Sequence, residues 1–146
     1  MTARTDTASF RREADLAAPV GRFLRNRAFH LQSSELPFYE YRMDMYGYSE
    51  RDDLTVAVEL KLTRWSRALE QALLYQLCSD LVYVAMPRGQ AQRLNSTVFK
   101  LHGVGLLAVE EGRCRELVPA VPSPLVKNHY RLAYLAMLGK GDVDVA

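Results

Sequence analysis

VAVELKLT, residues 56–63, decides how this chain is read. Every second residue is apolar, the period of a β-strand with one covered face. Glu59 and Lys61 fall together on the other face. A carboxylate and an ammonium side by side on a strand have a plain reading, an ion pair on a solvated sheet face. They also have a chemical one, a metal site with a catalytic lysine.

The residues around the stretch give it a frame. The segment before it, LT, extends the strand back to residue 54, and the polar cluster SERDD, 49–53, reads as a turn. Aromatic-rich PFYEYRMDMYGY, 37–48, reads as the strand on the other side of that turn. Residues 12–29 carry Leu16, Val20, Phe23 and Leu24 at helical spacing. Residues 65–79 carry a broad apolar stripe from Trp65 through Leu69 and Leu73 to Leu77, a second helix. LVYVAMP, 81–87, and VGLLAV, 104–109, are continuous apolar runs, as in strands buried on both faces. Between them residues 89–102 read as a helix stopped by Gly103. CRELV is a short edge strand and VPAVPSP a linker. A last helix is expected over 125–138, and the tail GKGDVDVA is expected to fray.

The order α-β-β-α-β-α-β-β-α predicts an α/β fold, a mixed central sheet flanked by helices on both sides. With 146 residues, 49% apolar and 25% charged, the chain fits a single domain over 1–146 with its core at about 13–118. No run of eighteen apolar residues suggests a membrane span. The polar start MTARTDTASFRREAD has no apolar signal core, so a cytoplasmic protein is expected. Cys78 and Cys114 have no metal-ligand spacing and read as reduced, partly buried thiols. His30, His102 and His129 show no ligand spacing either. The net charge of +2 neither requires nor opposes a polyanionic partner. Arginine dominates the positive charge, which suits phosphate contacts but also follows from a GC-rich genome.

The short turn sets a register. If it is centred between Arg51 and Asp52, Asp44 stands opposite Glu59, and opposed residues of an antiparallel pair share a face with β-carbons about 5 Å apart. Lys61 lies two residues on, on the same face. Two carboxylates so close stay ionised cheaply only with a cation between them. The all-oxygen ligand set suits Mg²⁺ or Mn²⁺, and the Leu60 carbonyl could add a ligand from the strand itself. A Glu-x-Lys triplet alone arises by chance about once in a chain of this length, so its neighbours carry the weight. A slip of one residue would send Asp44 to the other face.

An acid on one hairpin strand, Glu59-Leu60-Lys61 on the next and a helix after it resemble the PD-(D/E)XK nuclease superfamily, including its RecB-like and junction-resolvase-like members. The resemblance covers residues 13–87. It implies a restriction-endonuclease-like αβββαβ core, with the strand not otherwise placed lying in FHLQSSEL, 29–36. Arg42-Met43-Asp44 stands where the motif's Pro-Asp would be. Glu13 matches the glutamate these nucleases often carry in the first helix. Gln71 and Tyr75 match the Q-x-x-x-Y motif, on one helix face at i, i+4, with Arg64 and Arg67 extending the stripe.

That family likeness implies a Mg²⁺- or Mn²⁺-dependent deoxyribonuclease. Asp44, Glu59 and the Leu60 carbonyl would hold the ion, and Glu13 would reach it through water or hold a second one. Lys61 would orient the attacking water or neutralise the transition state. Gln71, Tyr75, Arg64 and Arg67 would position the DNA backbone. Glu35 and Glu40 are further acids near the hairpin. The last helix, HYRLAYLAML, could supply a homodimer interface or cover the sheet. The alternatives are a non-catalytic member of the fold that binds nucleic acid or a protein partner, and an unrelated α/β protein in which Glu59 and Lys61 form a surface pair.

Overall fold

The computed structural model describes residues 10–139. A six-stranded mixed sheet, not closed into a barrel, carries helices on both faces, as expected. The strands are β1 (Leu31–Phe38), β2 (Tyr41–Ser49), β3 (Leu54–Leu60), β4 (Leu81–Pro87), β5 (Gly105–Glu110) and β6 (Arg113–Val118), side by side in that order. β1, β2 and β3 pair antiparallel, β3, β4 and β5 parallel, and β6 returns antiparallel on β5. The helices are α1 (Ala17–Asn26), entered through a 3-10 turn at Glu13–Leu16, then α2 (Trp65–Tyr75), α3 (Arg88–Arg93), α4 (Ser96–His102) and α5 (Asn128–Leu138). The expected fraying of GKGDVDVA concerns residues that, Gly139 apart, lie outside those described.

Two apolar layers follow from the alternation of the central strands. Leu16, Val20 and Leu24 of the N-terminal segment pack on Val56, Val58 and Leu60. On the other face α2, α4 and α5 send Leu69, Tyr75, Phe99 and Tyr134 onto Tyr46, Ala57, Val84 and Leu106. α5 covers the sheet, and the Tyr134 hydroxyl donates to the Pro37 carbonyl of β1. Arg131 pins the same helix to the β2–β3 turn through the Asp53 carboxylate at 2.9 Å and to Asp80 at 3.2 Å. Leu132 and Met137 remain on its outer side.

Three expectations need correction. The strand placed over 37–48 is two strands: Pro37 and Phe38 end β1, Tyr39–Glu40 turn the chain, and β2 begins at Tyr41. The strand expected within 29–36 is therefore present, at Leu31–Phe38, and forms the sheet edge. The helix placed over 89–102 breaks at Leu94, whose backbone is extended, and Asn95 caps a new helix by accepting a hydrogen bond from the Thr97 N–H. The helix placed over 65–79 ends at Tyr75, and the chain tightens through i to i−3 bonds as far as Cys78.

Gly105, which opens β5, lies close to the Tyr83 ring, and a β-carbon there would run into that ring and come within 2.8 Å of the Ala120 nitrogen. Neither the strand backbone nor the wedged ring can yield freely. Gly105→Ala is expected to lower stability by about 1–3 kcal/mol, the usual cost of overpacking, measured by urea denaturation. An unchanged midpoint would contradict the close approach.

Candidate functional site

The β2–β3 register is the one the SERDD turn sets: Met45 opposes Val58 and Tyr46 opposes Ala57. Backbone pairing ends at Met45 and Val58, and continuing the same count brings Asp44 beside Glu59. There the ladder stops being backbone alone, because the Asp44 carboxylate accepts the Leu60 N–H at 2.7 Å. This bond fixes Asp44 against the end of β3. The Leu60 side chain itself joins the apolar layer under the N-terminal helix.

Glu59 is not on a solvated face. It is 4% exposed, within a strand whose residues from Thr55 to Leu60 are all buried. The surface ion-pair reading of Glu59 and Lys61 is therefore overturned. Two side chains of α2 reach down to this carboxyl. Tyr75 donates from its hydroxyl to Glu59 Oε1 at 3.3 Å, and Gln71 presents its amide to the same group. With Glu59 ionised, the amide nitrogen donates to both carboxylate oxygens. With Glu59 protonated, the amide can turn and accept that proton instead.

Burial pushes the Glu59 pKa up to about 8, and the Asp44 charge adds to the rise while Lys61 opposes it. Asp44 is raised as well, chiefly by burial, against the pull of its bond from Leu60. The two acids therefore titrate as a pair, and charging both without a cation is unfavourable. Lys61 closes the cluster from just beyond β3, tied to β4 through its N–H to the Ala85 carbonyl at 3.0 Å. Its ammonium is 4.0 Å from Glu13 Oε2, and Glu13, at the head of the 3-10 turn, also acts on the acid pair electrostatically.

Asp44, Glu59, Lys61 and Glu13 are thus brought together, as are Gln71 and Tyr75 beside Glu59. The role given to Tyr75 changes. Its side chain is fully buried and its hydroxyl is shared between Glu59 and the Arg42 carbonyl, 3.2 Å away, so it cannot touch a nucleic-acid backbone. It positions Glu59. Glu13 does not make a third close carboxylate: among the described residues no three His, Cys, Asp or Glu side chains group so as to hold a metal ion. The donor set on β2 and β3 is nevertheless all oxygen, and a buried and a half-buried carboxylate that repel each other fit a hard divalent cation.

Beside Gln71 opens a groove of about 510 Å³ between α2 and the β1–β2 turn, lined by Tyr39, Glu40, Tyr41, Arg67 and Glu70 among others. Arg67 is exposed there, whereas Arg64, at the N-cap of α2 with left-handed backbone (φ 58), is exposed outside the groove. Glu35 sits in β1, also at positive φ, and its carbonyl accepts from Arg42. The groove residues other than Arg67, Gln71 and Glu40 were invisible as a site in the sequence, where FYEY reads as strand. Both cysteines are free, and burial pushes each thiol up to about 12.

No protein-family model matches the chain, and no curated protein matches it. Among solved structures it is similar to a protein of unknown function from Silicibacter pomeroyi, at 20% identity and a TM-score of 0.66, over 88% of this chain and 84% of that one. That likeness bears on the fold. Among the described residues no helix is long and apolar enough to cross a membrane.

A carboxyl whose folded pKa is raised binds its proton more tightly folded than unfolded. Its contribution to stability is full below about 4.5 and is lost as pH rises towards about 8. Glu59→Gln keeps the shape without the charge. In metal-free buffer at pH 8.5 it is expected to melt several degrees above the parent, with the difference vanishing near pH 5. Melting curves across that range check this, and a Glu59→Gln protein that is less stable at pH 8.5 would contradict it.

Proposed function

We propose that the protein is a metal-dependent nuclease of the PD-(D/E)XK kind that hydrolyses phosphodiester bonds in DNA. One observation carries the reading: a buried Glu59 beside a half-buried Asp44 at the end of a β-hairpin, with Lys61 next to them. The αβββαβ order from the N-terminal helix to β4 agrees with that superfamily's core. A buried acid with a second one held against it has little structural use, because apolar side chains of the same size would cost less to bury.

Asp44, Glu59 and the Leu60 carbonyl would hold Mg²⁺ or Mn²⁺, which when bound supplies an acidified water and offsets charge on the phosphate. Lys61 places an ammonium beside the scissile phosphate, where it stabilises the added negative charge or orients the water. Glu13 steadies Lys61 from the other side. Tyr75 and Gln71 hold Glu59 in place from above. Arg67 and Arg64 attract the phosphate backbone in a salt-sensitive way, without reading sequence. A cytoplasmic location fits DNA as the substrate.

A second reading is a non-catalytic protein of this fold that binds nucleic acid or a protein partner. It is favoured by the two-carboxylate site, which lacks a third close acid among the described residues. Labelled linear, branched and single-stranded DNA, incubated with Mg²⁺ or Mn²⁺, separates the two. Cleavage is expected with either ion, none with EDTA, and a loss of at least about a hundredfold in Asp44→Ala and in Lys61→Ala. DNA that is bound but left intact, or cleavage untouched by either substitution, would sink the nuclease reading.

A further inference from the structure

We propose that the groove between α2 and the β1–β2 turn receives an unpaired nucleobase, so that the substrate is single-stranded nucleic acid or a strand with unpaired nucleotides. This deepens the nuclease reading and rests on it. Gln71 belongs to both places: it presents its amide to Glu59 and lines the groove. A nucleotide seated in the groove therefore has its neighbouring phosphate near the acids.

The groove's chemistry suits a base better than a phosphate. Tyr39 is 68% exposed, the kind of surface a stacking partner covers. It is also held in advance. Its ring meets Phe38 edge-on at 4.7 Å, its hydroxyl is hydrogen-bonded to that of Tyr130, and its backbone sits at φ 57. A large aromatic residue takes that left-handed conformation at a cost, so the rest of the turn must hold it there. Holding the ring beforehand reduces what ordering would cost on binding.

Tyr41 and Leu74 add apolar wall, and Arg67 adds a flat cation that can stack or meet the backbone. Glu40 and Glu70 would repel a phosphate in the groove but can accept from the amino groups of a base. The volume of about 510 Å³ is within the range of small-ligand sites. Bases in a duplex are already stacked and paired, and none can enter without being turned out.

Fluorescence anisotropy tests this with a labelled twelve-nucleotide strand and the blunt duplex of the same sequence, in Ca²⁺ to prevent turnover. The parent is expected to bind the single strand about tenfold or more tightly than the duplex. Tyr39→Ala is expected to lose about tenfold on the single strand, in line with one stacked base, and to leave duplex binding unchanged. Tyr39→Phe keeps the ring, should retain most of the affinity, and guards against misfolding as the cause. Equal affinity for both DNAs, or single-strand binding unaffected by Tyr39→Ala, overturns the proposal. Cleavage with Mn²⁺ is scored beside binding. Cleavage whose strand preference ignores Tyr39 removes the groove and keeps the nuclease. Tyr39-dependent binding without cleavage keeps the groove and removes the nuclease.

Discussion

The Asp44 carboxylate takes the Leu60 N–H where the β2–β3 ladder runs out, and that bond puts a second, half-buried acid against Glu59, which water hardly reaches. Almost everything distinctive in the structure follows from it. The hairpin must end in this register for the bond to form. α2 must lie over β3 so that Tyr75 and Gln71 can meet the Glu59 oxygens. Lys61 must follow directly, since it is the cation that opposes the rise of both carboxyl pKa values. A chain selected for stability alone would put apolar side chains here, because charge buried in such a pair is paid for by the rest of the fold.

The rest of the fold is built to bear that cost. The N-terminal segment seals one face of β3 with Leu16, Val20 and Leu24, and α2, α4 and α5 seal the other. Between them the strand is buried on both faces, and the acids sit at its end. The groove at the β1–β2 turn opens on that same end, with Gln71 as the shared wall. Gln71 is thus the side chain that links the groove to the acids, touching Glu59 on one side and the groove on the other.

Much of this was legible in the sequence, and the reasons are local. The period of VAVELKLT fixed β3, and the compact polar turn SERDD fixed its register with β2, because a tight turn leaves little freedom in pairing. The apolar runs at 81–87 and 104–109 announced the buried parallel strands for the same reason of composition. The Tyr39–Glu40 turn was hidden because it has neither glycine, asparagine nor proline, and its positive φ is held by ring contacts that no local pattern encodes. The break at Leu94–Asn95 did carry a local signal, the N-cap residue Asn95 before Ser96–Thr97, which a continuous helix over 89–102 passes over. Alternation alone also made Glu59 look exposed, since its cover comes from α2, six to sixteen residues further on in the chain. The same helix made Tyr75 look like a surface contact, when its hydroxyl in fact points inward to the acid.

The account turns on Glu59 being a buried acid forced to share space with Asp44. The most direct measurement is its own titration, followed by NMR of ¹³C-labelled carboxyl groups, assigned with Glu59→Gln, in metal-free protein and again with saturating Mg²⁺. The expected result is a transition near 8 without metal that moves to much lower pH when Mg²⁺ is present. A transition near 4.5, the same with and without the ion, would mean that Glu59 is an ordinary solvated carboxylate and that the site has no place for a cation.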